Sequence, residues 1–131
     1  MEPRPKHFKK REAILSCLRS TDTHPTAEWV HAQLRNEYPD ISLGTVYRNL
    51  AMFKEQGLIA SLGTVNGVER FDANTAPHVH FICNTCHRVD DLPQMEIPES
   101  LCETADRYSG GHADICHLSF TGTCRECVSQ T

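Results

Sequence analysis

No apolar run in this chain approaches the roughly 18 to 20 residues needed to cross a bilayer. The basic stretch at its start, Met1 to Arg11, has no apolar segment behind it of the kind a secretory signal requires. Those two absences predict a cytoplasmic protein, and in that compartment paired cysteines are more often metal ligands than disulfides. Positive charge is scarce too: the formal net charge is −4 over 131 residues. Any contact with a polyanion must therefore be local and salt-sensitive. Finally, no βαβ pattern surrounds the paired cysteines, which argues against a thioredoxin-like redox enzyme.

What is present is unevenly distributed. The chain is 39% apolar and 23% charged, as in an ordinary globular protein. Residues 1–76 carry 10 Lys/Arg against 9 Asp/Glu, whereas residues 77–131 carry 3 against 8 and hold five of the eight histidines. A near-neutral half beside an acidic half rich in His and Cys predicts two modules. They are placed at 1–74 and 75–131, with an α+β fold overall.

The first module has three helical segments and a hairpin. Ile14, Leu15 and Leu18 recur at helical spacing. Thr26 is placed to cap a second helix through Trp29, Val30 and Leu34, and Ser42 to cap a third. The third helix carries Leu43, Val46, Leu50 and Phe53 on one face and Thr45, Tyr47, Arg48, Asn49 and Met52 on the other. Gly57 suits the position just past its end. Asn66-Gly67 between two β-rich runs is a strong hairpin signal. Three short helices and a hairpin read as a winged helix-turn-helix.

Thr45, Tyr47, Arg48 and Asn49 offer the hydroxyl, guanidinium and amide groups that read base edges or hold phosphates. Taken alone, such a face is more readily a solvated one. The hairpin at the right distance favours DNA, with Arg70 beside it for a groove or phosphate. Lys10 and Arg11, next to Lys9, are placed to neutralise backbone charge. With so few cations per module, tight binding to double-stranded DNA calls for a dimer.

The second module carries two Cys-x-x-Cys pairs, Cys83/Cys86 and Cys124/Cys127, separated by 37 residues. Four thiolates at this spacing predict a closed, structural tetrahedral zinc site. Short strands around His80–Cys83 and Arg88–Leu92, a helix over Ile97–Tyr108 and a strand over Ala113–Thr121 complete it. Cys17, Cys102 and Cys116 lack partner spacing and read as small buried apolar residues. His78 and His80 point to one side of a strand, with Asp72 before them and Asp91 on the next strand. His24, alone in its loop, reads by itself as a surface histidine. Three imidazoles and two carboxylates together would suit Fe(II), Mn(II) or Zn(II) and would clamp the two modules at one angle.

These patterns together resemble the ferric uptake regulator (Fur) family of metal-dependent bacterial repressors. The resemblance is carried by Lys10-Arg11-Glu12-Ala13-Ile14-Leu15, His24-Pro25-Thr26-Ala27 and the run from Ser42 to Leu50. It continues in Glu69-Arg70-Phe71-Asp72, His78-Val79-His80-Phe81-Ile82-Cys83 and Gly122-Thr123-Cys124-Arg125-Glu126-Cys127. It implies a homodimer on a palindromic operator, zinc on Cys83, Cys86, Cys124 and Cys127, and a regulatory metal on His24, Asp72, His78, His80 and Asp91. Iron-sensing members tend to place Glu where Asp91 stands, whereas peroxide-sensing (PerR-type) members place Asp there and often at Asp72. Pro77 and Val79 stand where a further metal site of many iron and zinc sensors would have ligands, and His87, His112 and His117 are left as non-ligands. The resemblance thus implies a repressor, not an enzyme, that holds Fe(II) or Mn(II) and loses DNA when peroxide oxidises His24 or His78. An iron-responsive repressor is the alternative, and a zinc-responsive one comes after it. From other classes, a metal- or thiol-dependent enzyme and a zinc-stabilised interaction module stay open.

Overall fold

The computed structural model describes residues 6–114 and 116–129. The N-terminal stretch before Lys6 lies outside the described residues. The chain divides into two compact units, Met1–Thr75 and Ala76–Thr131. No helix among the described residues is long and apolar enough to cross a membrane.

The first unit contains α1 (Lys6–Arg19), α2 (Ala27–Leu34), α3 (Leu43–Glu55), β1 (Ala60–Val65) and β2 (Val68–Asp72). Its helices begin where their caps stand. The Thr26 hydroxyl accepts the N–H of Trp29 at 3.1 Å and the Ser42 hydroxyl accepts that of Thr45 at 3.0 Å, satisfying donors that have no partner within the helix. The end of α3 is a Schellman motif: Leu58 N–H donates to Phe53 C=O at 2.9 Å and Gly57 N–H to Lys54 C=O at 3.1 Å. That motif needs a left-handed residue, and Gly57 takes φ 76° without a Cβ penalty. Asn66 and Gly67 at φ 55° and 80° make the tight turn joining β1 to β2, an antiparallel pair.

The apolar stripes of these helices meet in one core of Ile14, Leu18, Val30, Val46, Leu50 and Phe53, closed by Ile59 and Phe71 from the hairpin side. Two residues of α3 exchange their expected places. Leu43, in the first turn, overhangs the core edge and stays exposed. Met52, expected on the polar face, bends its flexible thioether chain onto the core. Phe53 is the largest fully buried side chain. Its truncation to alanine should cost about 3–5 kcal/mol, a large part of the total of about 5–15 kcal/mol typical of a small domain. Denaturant unfolding checks this, and a loss below about 1 kcal/mol would show that Phe53 does not anchor the core.

The second unit contains β3 (Val79–Cys83), β4 (Val89–Asp91), α4 (Glu99–Ser109), β5 (Leu118–Gly122) and the single turn α5 (Arg125–Val128). Its sheet has the order β4-β3-β5, with β4 antiparallel and β5 parallel to the central β3. The last strand is shorter than the alternation from Ala113 suggests. Pairing begins at Leu118, opposite Val79 where β3 itself starts. Upstream, Ala113 N–H donates instead to the Asp106 carboxylate at the end of α4. Helix α4 starts at Glu99 rather than Ile97 and buries none of its residues. Leu101, Phe120 and Val128 remain exposed, and Tyr108 is 83% exposed.

Candidate metal centres and DNA-facing surface

The four paired cysteines converge. Cys83 ends β3, Cys86 follows one turn later, and Cys124 and Cys127 bracket the start of α5. Hydrogen bonding of Asn84 N–H to Gly122 C=O at 2.8 Å holds the end of β3 beside the end of β5 and so brings the two pairs together. All four sulfurs lie within 4.8 Å of one another. The Cys86 and Cys124 sulfurs are 3.7 Å apart, far beyond an S–S bond of about 2.05 Å. Zn–S bonds of about 2.3 Å in a tetrahedron place sulfurs about 3.8 Å apart, so the donors fit zinc in kind, number and spacing.

The electrostatics agree. Backbone N–H groups of Cys86, Cys124 and Thr85 point at Cys83 Sγ and push its thiol down to about 5. The charge settles there, and its neighbours respond: hydrogen bonding to Cys124 and burial push the Cys127 thiol up to about 12. Four thiolates cannot share this space without a cation, and a dication removes the conflict.

Each unit also contributes a histidine–carboxylate group. In the first, His24 Nε2 lies 3.3 Å from Asp72 Oδ2, with His24 only 1% exposed. The histidine read from its isolated position as a surface residue is therefore buried. Its backbone is left-handed, φ 56°, and the loop holding it docks on β2 through Phe71 N–H to Pro25 C=O at 2.9 Å. In the second unit the sheet register builds the group: His80 on β3 is paired directly with Asp91 on β4. Asp91 Oδ1 is 3.3 Å from His80 Nε2 and 3.1 Å from His78 Nε2. The two rings lie 4.2 Å apart, and His78 Nδ1 is tied to the Ala76 carbonyl oxygen at 2.6 Å, leaving Nε2 toward Asp91. Metal–ligand bonds of about 2.1 Å set neighbouring donors about 3 Å apart in an octahedron, close to these separations. His112, by contrast, is a surface residue beside Asp106.

The polar face of α3 is partly preorganised. Tyr47 is exposed, and its hydroxyl donates to Glu28 on α2 at 2.6 Å. Arg48 Nη2 donates to Thr45 Oγ1 at 3.2 Å, and Asn49 Nδ2 turns back to the Thr45 carbonyl oxygen at 2.8 Å. Lys54 near the end of α3 reaches Glu69 on the wing at 3.2 Å.

Two of the cations expected at DNA are engaged elsewhere. Lys10 pairs with Asp40 at 3.0 Å, closing α1 onto the turn before α3. Arg70 turns inward: its Nε donates to the His24 carbonyl oxygen and its Nη2 to that of Thr23 at 2.7 Å. Arg70 thus serves the loop that carries His24 rather than the hairpin tip. The Nε of Arg11 is buried too, though without a hydrogen-bond partner. Glu28, Asp40 and the inward Arg70 carried no signal in the sequence, because each contact joins residues 19 to 47 positions apart.

Comparison with known proteins agrees with this arrangement. The model of the ferric uptake regulator family matches residues 5–116. The peroxide-responsive repressor PerR of Staphylococcus aureus (strain USA300) is 36% identical over 122 residues, covering 90% of this chain and 79% of that protein. The crystal structure of the Campylobacter jejuni peroxide stress regulator superposes with a TM-score of 0.79 at 27% identity, covering 93% of this chain and 91% of the other. The Helicobacter pylori ferric uptake regulator shares the fold, with a TM-score of 0.76 at 23% identity over 92% of this chain and 80% of that one. A winged helix, a four-cysteine centre and histidine–aspartate groups, matched by the family model over most of the sequence, establish that this chain belongs to the ferric uptake regulator family of metal-responsive transcriptional regulators.

Proposed function

We propose that this chain is a homodimeric, operator-binding repressor that senses hydrogen peroxide through a metal held jointly by His24, Asp72, His78, His80 and Asp91. The observation that carries the reading is the incompleteness of each histidine–aspartate group. One unit offers two donors and the other three, whereas Fe(II) or Mn(II) in such nitrogen–oxygen sites takes five or six. Asp72 and His78 are separated by only five residues, so one metal can recruit both groups. Zinc on the four cysteines has a separate, structural role.

Joint ligation makes the metal a clamp between the DNA-reading unit and the rest of the chain. The face of Thr45, Tyr47, Arg48 and Asn49 then enters the major groove, each copy on one half of a palindromic operator. The apolar residues that α4 and β5 leave exposed, Leu101, Tyr108 and Phe120, supply the surface for the second copy. The protein acts in the cytoplasm, on chromosomal DNA.

His24, Asp72, His78, His80 and Asp91 would hold Fe(II), which would supply peroxide-activating chemistry next to the ligand imidazoles. The imidazole of His24 or His78 would be the two-electron reductant: one peroxide oxygen would convert a ring C–H to C–OH, and the other would leave as water. The altered imidazole is a poorer donor, the clamp opens and the operator is released. Mn(II) suits the same donors but does not activate peroxide in this way.

The test is anaerobic loading with Fe(II) or Mn(II), addition of stoichiometric hydrogen peroxide, and peptide mass spectrometry. One added oxygen on the peptides holding His24 or His78, with Fe(II) and not with Mn(II), is expected. Unmodified histidines with the Fe(II) site shown to be filled would replace peroxide sensing by an iron-responsive, or failing that a zinc-responsive, repressor.

A further inference from the structure

Arg70 departs furthest from its apparent place in the sequence. It sits within β2, two residues before Asp72, in a hairpin of DNA-binding type. Its side chain nevertheless runs back to the turn before α2. Nε and Nη2, the two arms of one planar fork, each take a carbonyl oxygen from consecutive residues, His24 and Thr23. The next backbone contact continues the same seam, Phe71 N–H to Pro25 C=O at 2.9 Å. Three consecutive carbonyls, Thr23 to Pro25, are thus held by β2. In the middle stands His24, whose left-handed backbone is uncommon for a residue with a Cβ and must be held by its surroundings. That backbone aims the buried imidazole at Asp72, 3.3 Å away.

From this geometry we infer that Arg70 is a positioning residue for the regulatory metal. It acts through His24, fixing the ligand's backbone so that its ring is presented beside Asp72 before metal arrives. The inference rests on the reading of His24 as a ligand. The chemistry favours arginine over any other side chain. A guanidinium presents two donors in fixed geometry, whereas a lysine ammonium is a point charge on a flexible stem and can hold one carbonyl well but not two in plane. Without the fork the turn has other conformations open to it, and metal binding must then select one. The placement has a further consequence. The strand that carries Asp72 also holds the His24 loop, so both donors of this unit move with β2 as one body. Glu69, the neighbour of Arg70 on β2, is joined to Lys54 of α3, which links the same strand to the DNA-reading helix.

The experiment is a double-mutant cycle on the full-length, zinc-loaded protein with Mn(II) alone as the probe, its free concentration read by electron paramagnetic resonance. The variants are Arg70→Met, Arg70→Lys, His24→Ala and His24→Ala combined with Arg70→Met. Loss of a group that orients a metal ligand typically weakens metal binding about 10- to 100-fold. Arg70→Met should fall in that range and Arg70→Lys between it and the unaltered protein. On the His24→Ala background, removing Arg70 should change Mn(II) affinity little further, because the inferred effect runs through His24. Additive losses in the double variant, or unchanged affinity in Arg70→Met, would overturn the inference and leave Arg70 a brace of the first unit. Unchanged affinity in His24→Ala would instead remove His24 from the site, a failure of the functional reading itself. Should Arg70→Met not fold, Arg70→Lys completes the same cycle.

Discussion

Cys124→Ser is expected to release zinc and to unfold the unit built on β3, β4, α4 and β5 while leaving the helical unit folded. The reason is the difference between the two interiors. The first unit buries eleven apolar residues in one cluster, from Ile14 to Phe71. Among the described residues, the second buries Val79, Val89 and a cluster of Cys83, Cys124 and Cys127 with Phe81 packed against it, and its one long helix buries nothing. Apolar burial on that scale cannot offset the conformational entropy of ordering some fifty residues, about 1–2 kcal/mol for each backbone. Structural zinc contributes about 10–16 kcal/mol in small zinc-dependent peptides, as much as the whole stability of a small domain. Serine offers a hard hydroxyl in place of a soft thiolate, and the remaining three sulfurs lose the cation that holds them together. Zinc content, two-dimensional amide spectra and the association state measured together check this. A zinc-free variant that keeps the amide spectrum of the second unit and stays dimeric would refute the structural role of the centre.

If the proposed reading holds, His24→Ala is expected to abolish metal-dependent operator binding while zinc and the proposed dimer are retained. His24 comes from a loop of the unit proposed to read DNA, whereas His78, His80 and Asp91 belong to the other. In the proposed joint site, removing it would leave Asp72 as the one donor on its side, and metal would no longer distinguish strongly between a clamped and an open form. Turning a population from 1:99 to 99:1 takes about 5.5 kcal/mol of preferential binding, and a single carboxylate exposed to solvent in the open form falls short of it. Fluorescence anisotropy of a palindromic duplex, with Mn(II) as the variable, provides the measurement. Operator affinity that still rises with Mn(II) as in the unaltered protein would reject the clamp, whatever the folding stability of the variant.

Much of the fold was legible because its signals are local. Thr26 and Ser42 cap helices through bonds to residues three positions on. Gly57 ends α3, and Asn66-Gly67 turns the hairpin, each through its own backbone angle. The cysteine spacing announced a metal centre, whereas of the two histidines read as alternating along one strand only His80 lies on β3 and His78 just precedes it. Signals failed where the partner was distant. Arg70 looked like a wing cation, since nothing in its neighbourhood reveals that the turn at Thr23 and His24 lies under β2. Lys10 looked free for a phosphate, since Asp40 is 30 residues away. The alternation from Ala113 was over-read as strand because side-chain periodicity does not say where the neighbouring strand stops.

By itself, then, the sequence determined the elements, their caps and turns, the chemistry of the two donor sets and, through its motifs, the family. All of these rest on residue type and on spacings of a few positions, which steric and hydrogen-bonding rules convert directly into geometry. Only the tertiary structure decided which cations are engaged within the first unit, that His24 is buried against Asp72, that His80 faces Asp91 across a strand pair, and that the described apolar core of the second unit is small beside that of the first. Those depend on how separate elements pack. Packing is set by many weak contacts summed over the whole chain, and no short window of residues carries that sum.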